Sequence, residues 1–174
     1  MKERKLEVYL SERFVGTMAQ TADRRVAFAY SEEWLDNGFA ISPFSLPVEQ
    51  KVFVPTSQAF SGLWGVFADS LPDAWGQLLV DRMLKARGIL SADMTQLERL
   101  AIVGDSGMGA LAYRPDWNIQ QDAAIGDLDE LSAQCHAILN HEDAGDLDEL
   151  FQMGGSSGGA RPKIMTDEWI IKFP

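Results

Sequence analysis

The fold prediction depends most on one stretch, Gly154-Gly155-Ser156-Ser157-Gly158-Gly159-Ala160-Arg161-Pro162-Lys163. Its glycines allow backbone conformations that other residues avoid, and they let a ligand approach the main chain closely. Successive N–H groups in such a turn can bind phosphate oxygens. The stretch has neither the Gly-Lys-Ser/Thr ending of a Walker A loop nor the usual kinase pattern Gly-x-Gly-x-x-Gly. Glycine content alone therefore leaves two interpretations, a flexible loop and a phosphate-binding loop, and the flexible loop is the commoner of the two.

A predicted strand follows the glycine-rich stretch and contains a lysine among apolar residues. Trp169, Ile171 and Phe173 are expected to share one face, and Ile170 and Lys172 the other. A lysine in an apolar strand is costly unless its ammonium group has a partner. Protein kinases hold nucleotide phosphates with a glycine-rich loop and a strand lysine, so the pattern indicates a nucleotide site. The alternative is an exposed lysine on an edge strand, which taken alone is the commoner case.

The first thirty residues show the alternation of antiparallel strands. Leu6, Val8 and Leu10 alternate with charged or polar neighbours, as a half-buried strand requires. A short turn leads into a second strand over 14–18, and a third strand is predicted over 26–30. The three strands together predict a meander.

Between these strands and the glycine-rich stretch, the pattern is mostly helical. The run Ser70-Leu71-Pro72-Asp73 predicts a helix that begins near Ser70, with the proline in its first turn and an acid where the helix dipole favours one. Apolar residues follow at helical spacing, and Gly88 is a natural stop. A second helix is predicted over 94–103, and a short strand over 110–113.

After Trp117 the sequence becomes acidic. The hexapeptide Gly-Asp-Leu-Asp-Glu-Leu occurs twice, from Gly126 and from Gly145. Each copy places acids at a predicted helix start, where the helix dipole favours them, and this explains them better than metal binding does. Residues 120–150 are therefore predicted to form an acidic helical connector.

The single cysteine and the two histidines predict neither a disulfide nor a metal site. Cys135 is interpreted as a small buried hydrophobe. His136 and His141 are interpreted as structural residues, because no set of Cys or carboxylate partners at metal-binding spacing accompanies them.

Composition argues against several classes of function. The chain has 174 residues and a formal net charge of −11, which argues against broad contact with nucleic-acid phosphates. Any DNA contact is expected to come through a partner. No stretch approaches the roughly 20 apolar residues that cross a bilayer, and no apolar signal core follows the basic N-terminus. We therefore expect a cytoplasmic protein that binds neither membrane nor nucleic acid directly.

Three segments, which follow one another along the chain as they do in the family, resemble the HipA family of serine/threonine kinases. Gly-Gly-Ala-Arg-Pro-Lys at 158–163, followed by Trp-Ile-Ile-Lys-Phe-Pro at 169–174, is similar to the nucleotide-binding segment of that family. The run Phe67-Ala68-Asp69-Ser70-Leu71-Pro72-Asp73-Ala74-Trp75-Gly76 looks like its N-terminal signature. The run Gly107-Met108-Gly109-Ala110-Leu111 looks like its Gly-Ala-Leu element. The combination covers most of the chain.

The resemblance implies roles for particular residues. Lys172 would coordinate the ATP phosphates, and Lys163 sits at the basic loop position of the family. Ser156, or in second place Ser157, matches the serine that members autophosphorylate, which ejects the loop and inactivates the kinase. A phosphate brings a charge of about −1.5 to −2 into a site built for the phosphates of ATP, so inhibition is physically sensible. Loop solubility is the alternative explanation for both serines. The loop that would cover the phosphates consists of Gly154, Gly155, Ser156, Ser157, Gly158 and Gly159.

The resemblance also implies a reaction and partners. Members use ATP and Mg²⁺ to phosphorylate protein serine or threonine, act as bacterial toxins on translation-related targets, are linked to persistence, and are held by a DNA-binding, HipB-like antitoxin. Their catalytic aspartate, the neighbouring asparagine and the magnesium-binding aspartate lie in a C-terminal lobe, for which no candidate segment exists before Pro174. We therefore expect no catalytic residue and no metal ligand in these residues, and no activity from this chain alone.

The predicted fold class is α+β. A β-rich N-terminal subdomain with packed helices is expected over 1–119, the acidic connector over 120–150, and the beginning of a kinase-like small lobe over 151–174. Two other functions stay open. One is a non-catalytic binding module that contacts an antitoxin or a separate kinase lobe, and the other is a fragment of an ATP-grasp or other nucleotide-dependent transferase.

Overall fold

The computed structural model describes residues 5–107, 109–117, 128–140, 142, 150, 153, 159–165 and 169–173. These residues combine antiparallel strands with helices, so the protein is α+β, as predicted. The strands are β1 (Lys5–Leu10), β2 (Arg13–Gln20), β3 (Val26–Tyr30), β4 (Leu111–Arg114), β5 (Lys163–Met165) and β6 (Ile170–Lys172). The helices are α1 (Glu32–Asn37), α2 (Gly65–Ala68), α3 (Ala74–Ala86), α4 (Gln96–Val103) and α5 (Leu128–Leu139), with 3₁₀ turns at Ala59–Gly62 and Ser91–Asp93. Within this described part of the chain, no helix is both long enough and apolar enough to cross a membrane.

The chain folds as two compact units. The first comprises Met1–Leu71 and Met94–Asn118, and the second comprises Pro72–Asp93 and Ile119–Pro174. Helix α3 therefore shares a unit with the C-terminal strands, whereas the sequence placed it in the N-terminal subdomain. The three-part division at 119 and 150 stays a prediction.

The first unit is built on a four-stranded antiparallel sheet in the order β3-β2-β1-β4. Strands β1, β2 and β3 follow one another as the predicted meander, and β1 also pairs with β4. Ser11 and Glu12 have φ values of 47° and 64°, which make the tight turn between β1 and β2. Gly16 lets β2 and β3 approach, because a Cβ at this position would lie 2.2 Å from the carbonyl oxygen of Ala29.

The core of the first unit lies between this sheet and its helices. Its apolar side chains are buried from water, which is the main favourable contribution to folding. The largest fully buried members are Leu6, Met18, Phe28, Trp34, Leu46, Phe67, Leu97 and Tyr113.

Helix α4 begins with a capping box. In this motif, the N-cap side chain accepts from the N–H of the residue three positions later, and the side chain of that residue accepts from the N-cap N–H. The Glu98 N–H donates to the Thr95 hydroxyl at 3.2 Å, and the Thr95 N–H donates to the Glu98 carboxylate at 2.8 Å. The helix predicted over 94–103 is confirmed, with its start at Gln96.

The helix predicted to begin near Ser70 begins instead at Ala74, with Asp73 as its N-cap, so that predicted start was wrong. Pro72 disfavours the helical conformation of Leu71, so a helix that includes Leu71 is disfavoured. Ser70 has a different partner: its buried hydroxyl accepts a hydrogen bond from the Tyr113 hydroxyl at 2.7 Å. Burial raises the pKa of Tyr113 well above its usual value.

The acidic segment contributes α5 to the second unit. Asp129 and Glu130 occupy its first turn, which confirms the prediction for the first copy of the hexapeptide. Leu131, Cys135 and Ile138 form its buried face. Cys135 is a free thiol, and burial raises its pKa to about 11, so the interpretation as a buried hydrophobe is confirmed. Most of the second copy, from position 145, lies outside the described residues.

Candidate phosphate-binding site

The candidate site lies in the second unit, where the described end of the glycine-rich stretch meets the N-terminus of α3. The Gly159 N–H donates a hydrogen bond to Asp73 Oδ2 at 2.7 Å. The Trp75 main-chain N–H donates to the Gly159 carbonyl oxygen at 3.3 Å. The first N–H groups of a helix have no partner within it, so the loop carbonyl satisfies one of them. Asp73 makes no side-chain hydrogen bond to its own helix, and its carboxylate holds the loop instead.

The Trp75 side chain makes a second connection, to the strand after the loop. Its ring is 1% exposed, and its indole N–H donates to the Lys163 carbonyl oxygen at 3.2 Å. A buried indole N–H requires an acceptor, and β5 supplies one. The first turn of α3 therefore fixes both Gly159 and the start of β5.

Strands β5 and β6 form an antiparallel pair that places two lysines opposite each other. Lys163 is the register partner of Lys172, and Ile164 is the partner of Ile171. Directly opposite residues project from the same face, with Cβ atoms about 4.5–5.5 Å apart. The pair is extended by a hydrogen bond from the Phe173 N–H to the Pro162 carbonyl oxygen at 3.0 Å. Two cationic side chains thus share one face of this hairpin.

The two lysines differ in burial. Lys163 is only 4% exposed, whereas Lys172 is exposed to solvent. Burial lowers the pKa of Lys163 below its usual value, the nearby Lys172 ammonium lowers it further, and the Asp73 carboxylate opposes both effects. An anion placed beside both lysines would offset the repulsion between them.

Gly159 borders the Lys163 ammonium group. A Cβ at position 159 would lie 3.3 Å from Lys163 Nζ, and the residue has a φ of +99°, which disfavours every side chain. Glycine therefore keeps open the space beside the ammonium group. An anionic oxygen in this space would be attracted to the lysine charge, whereas the Gly159 N–H is already donated to Asp73.

The structure describes three of the eight predicted site residues and brings these three together. Gly159, Lys163 and Lys172 lie at the loop end and on the paired strands. The other five predicted residues, Gly154, Gly155, Ser156, Ser157 and Gly158, lie outside the described residues.

The sequence left two interpretations of Lys172, a lysine that needs a partner and an exposed lysine on an edge strand, and the structure agrees with the second. The buried lysine is Lys163, and Lys172 lies on the exposed side of β6. Trp169 and Phe173, predicted to share a face, differ in burial: the first is 69% exposed and the second 6%. Alternation along a strand sets which residues share a face but does not decide which face is covered.

Asp73 and Trp75 are site residues that sequence reasoning missed. Asp73 was interpreted as an acid that the helix dipole favours and Trp75 as an apolar residue at helical spacing, and both as part of the family's N-terminal signature, but neither as a site residue. The sequence feature that could have identified Trp75 is its large indole at the start of a helix, because a buried indole N–H requires a hydrogen-bond acceptor. Nothing local in the sequence identifies that acceptor, since Trp75 and Lys163 are separated by 88 positions.

Other parts of the described chain offer weaker candidates. No group of three or more His, Cys, Asp or Glu residues that could hold a metal ion occurs among the described residues. His136 is exposed on α5, and His141 lies outside the described residues. A surface depression of about 470 Å³ in the first unit is lined by Glu32, Leu35, Asp36, Val48, Glu49 and Gln50. Its acidic lining would repel a phosphate.

Comparisons with known proteins give one family. The family model described as the HipA N-terminal domain matches residues 6–114, which is more than half of the chain. No curated protein matches the sequence. Among solved structures, the chain is similar to one in the complex of the Shewanella oneidensis MR-1 toxin–antitoxin system HipA, HipB and its operator DNA, with 17% identity and a TM-score of 0.47. That similarity covers 97% of this chain and 37% of the other, so the residues here span little more than a third of that chain's length.

The family match runs from the second residue of β1 to the last residue of β4, so it includes every strand of the four-stranded sheet. It also includes Asp73 and Trp75 at the start of α3. The protein therefore belongs to the HipA family, and its residues 6–114 form the N-terminal domain of that family.

Proposed function

We propose that this chain is the N-terminal part of a HipA-like protein serine/threonine kinase and that its second unit binds the phosphates of ATP. Membership of the HipA family supports the kinase part of the proposal. The observation that carries the phosphate part is the cross-strand pairing of Lys163 with Lys172 beside Gly159.

The proposed binding uses charge and space together. The triphosphate of ATP is anionic, so it would interact favourably with both ammonium groups on one face of the hairpin. Gly159 would let phosphate oxygens approach the main chain next to Lys163. The preceding loop, 154–158, would add further N–H donors in this proposal. Mg²⁺ bound to ATP would reduce the remaining charge of the phosphates.

The catalytic step is proposed to need further protein. Transfer of the γ-phosphoryl group requires a residue that positions the substrate hydroxyl and carboxylates that hold Mg²⁺. By analogy with the family, these groups belong to a C-terminal lobe, so we expect residues 1–174 to bind nucleotide without transferring phosphate. The protein substrates would be translation-related, and phosphorylation of Ser156 or Ser157 would inactivate the kinase.

The partner is proposed to be a HipB-like, DNA-binding antitoxin. The similar solved structure contains HipA, HipB and operator DNA, and the family membership of this chain makes the same kind of assembly a reasonable proposal. The net charge of −11 fits a complex in which the antitoxin makes the DNA contacts. A bacterial toxin–antitoxin system, with a role in persistence, is the setting that this proposal implies.

Calorimetric titration with MgATP tests the proposal. Wild-type chain is expected to bind weakly, and Lys163→Ala and Lys172→Ala are each expected to lower the affinity. Lys85→Ala is the matched control, because Lys85 is an exposed lysine in the last turn of α3 in the same unit. Absence of binding by folded wild-type protein, or equal losses in all three variants, would overturn the phosphate site.

A second candidate function is a non-catalytic protein-binding module. Large apolar side chains of the first unit are exposed between positions 39 and 60, and Phe44 is fully exposed. Aromatic residues are enriched at protein interfaces, so these side chains favour contact with another protein. Tight binding of an antitoxin that is lost in Phe44→Ser, together with no binding of MgATP, would favour this function. The exposed apolar residues of this stretch are Phe39, Phe44, Val52, Val54 and Phe60.

A further inference from the structure

The Asp73 carboxylate has no structural role that its position before α3 explains. An acid at the N-cap ordinarily accepts a hydrogen bond from the second or third N–H of its own helix. Asp73 makes no such bond, and its Oδ2 accepts instead from Gly159, 86 positions away in the sequence. The main chain of Trp75 returns a second hydrogen bond to the same glycine. Two bonds between one helix start and one loop residue fix the position of that residue.

We propose that Asp73 is a positioning residue for the phosphate site, because it holds Gly159, the last glycine of the loop, beside the Lys163 ammonium group. The inference rests on the proposed function, since it assumes that phosphate binds beside Gly159 and the two lysines. It assigns no contact between Asp73 and the nucleotide.

The positioning role and the negative charge of Asp73 predict opposite effects on MgATP affinity when the carboxylate is removed, so an experiment can distinguish them. A carboxylate near a phosphate site repels the ligand, and its removal alone should tighten binding. A carboxylate that holds the loop should instead weaken binding when it is removed. Asn at position 73 offers an amide oxygen to the Gly159 N–H without a charge, whereas Ala offers neither.

The experiment compares Asp73→Ala and Asp73→Asn with wild-type protein in MgATP affinity and in the hydrogen-exchange rate of the Gly159 amide. Loss of one charge-assisted hydrogen bond corresponds to about a tenfold change in affinity. Asp73→Ala is therefore expected to bind about tenfold more weakly and to exchange the Gly159 amide faster. Asp73→Asn is expected to bind as tightly as wild type or tighter, with the Gly159 amide still protected. Asp93→Ala, which changes an exposed acid of the same unit, is the matched control and should leave both readouts unchanged.

The outcomes distinguish this inference from the proposed function. Tighter binding by both Asp73 variants, or a Gly159 amide that exchanges equally in wild type and Asp73→Ala, would overturn the positioning role. A wild-type chain that fails to bind MgATP would overturn the proposed function. In that case, the Gly159 exchange rate in the two variants still decides whether Asp73 holds the loop. Circular dichroism of each variant verifies that α3 is retained, and the Asn variant keeps the test valid where Ala alone unfolds the protein.

Discussion

Replacement of Lys163 by Met should stabilise the protein and weaken its binding of MgATP. The substitution keeps a long unbranched side chain at a position that is 4% exposed, and it removes the ammonium group. Like charges directly opposite each other in a sheet destabilise it by about 0.2–1 kcal/mol. Burial also disfavours the charged ammonium group and is the largest cause of its lowered pKa. We therefore expect a gain of about 1 kcal/mol in the free energy of unfolding, which for a chain of this size raises Tm by about 2–4 °C.

The gain should depend on pH, and its sign follows from the lowered pKa of Lys163. The folded protein holds the Lys163 proton less tightly than the unfolded chain does, so the unfolded state binds more protons between the folded pKa and the ordinary value of 10.5. The charged Lys163 therefore destabilises wild type, and this destabilisation decreases as the pH rises through that window. The Lys163→Met variant has no ammonium group at this position to titrate. Its gain in the free energy of unfolding over wild type is therefore largest at neutral pH and decreases as the pH approaches 10.5.

Differential scanning calorimetry at neutral and alkaline pH measures both effects, with Lys85→Met as an exposed control that should change Tm little. The increase in Tm of Lys163→Met over wild type should be larger at neutral pH than at alkaline pH. A variant that melts below wild type at neutral pH, or whose advantage is independent of pH, would refute the reasoning about the buried lysine.

Substitutions at three further positions test individual contacts of the fold by urea unfolding. Trp75→Phe should lower the free energy of unfolding by about 1–3 kcal/mol, because it leaves a buried carbonyl of β5 without its donor; unchanged stability would contradict the indole bond. Thr95→Ala should cost about 1 kcal/mol by removing the capping-box acceptor of the Glu98 N–H, and Thr95→Ser should restore most of it. Gly16→Ala should cost about 1–3 kcal/mol, because its Cβ would lie 2.2 Å from the Ala29 carbonyl oxygen, and an unchanged free energy of unfolding would contradict this close approach of β2 and β3.

The parts of the fold that follow from local patterns could be predicted from the sequence. Alternation of apolar residues gave the meander of β1, β2 and β3, and helical spacing gave α4. The start of α3 could not be placed in the same way. Ser70 was the predicted start, but its hydroxyl bonds to Tyr113, which is distant in the sequence, and the helix begins after Asp73.

The candidate site was only partly predictable for the same reason. The residue types of a phosphate site are local, so glycines and lysines could be identified from the sequence alone. Which lysine is buried depends on the pairing of β5 with β6 and on the side of the hairpin that other elements cover. The anchor at Asp73 depends on a contact with Gly159 that spans 86 positions, and no local pattern encodes it.

The central claim is that the second unit binds nucleotide phosphates beside Gly159, Lys163 and Lys172. Amide and lysine side-chain chemical shifts, recorded by NMR while MgATP is added to the chain, test it most directly. The account predicts that the Gly159 amide and both lysine ammonium groups shift together in one saturable transition, while the β1–β4 sheet of the first unit stays unchanged. Saturable shifts confined to the first unit, or no shifts at either lysine up to millimolar MgATP, would contradict it.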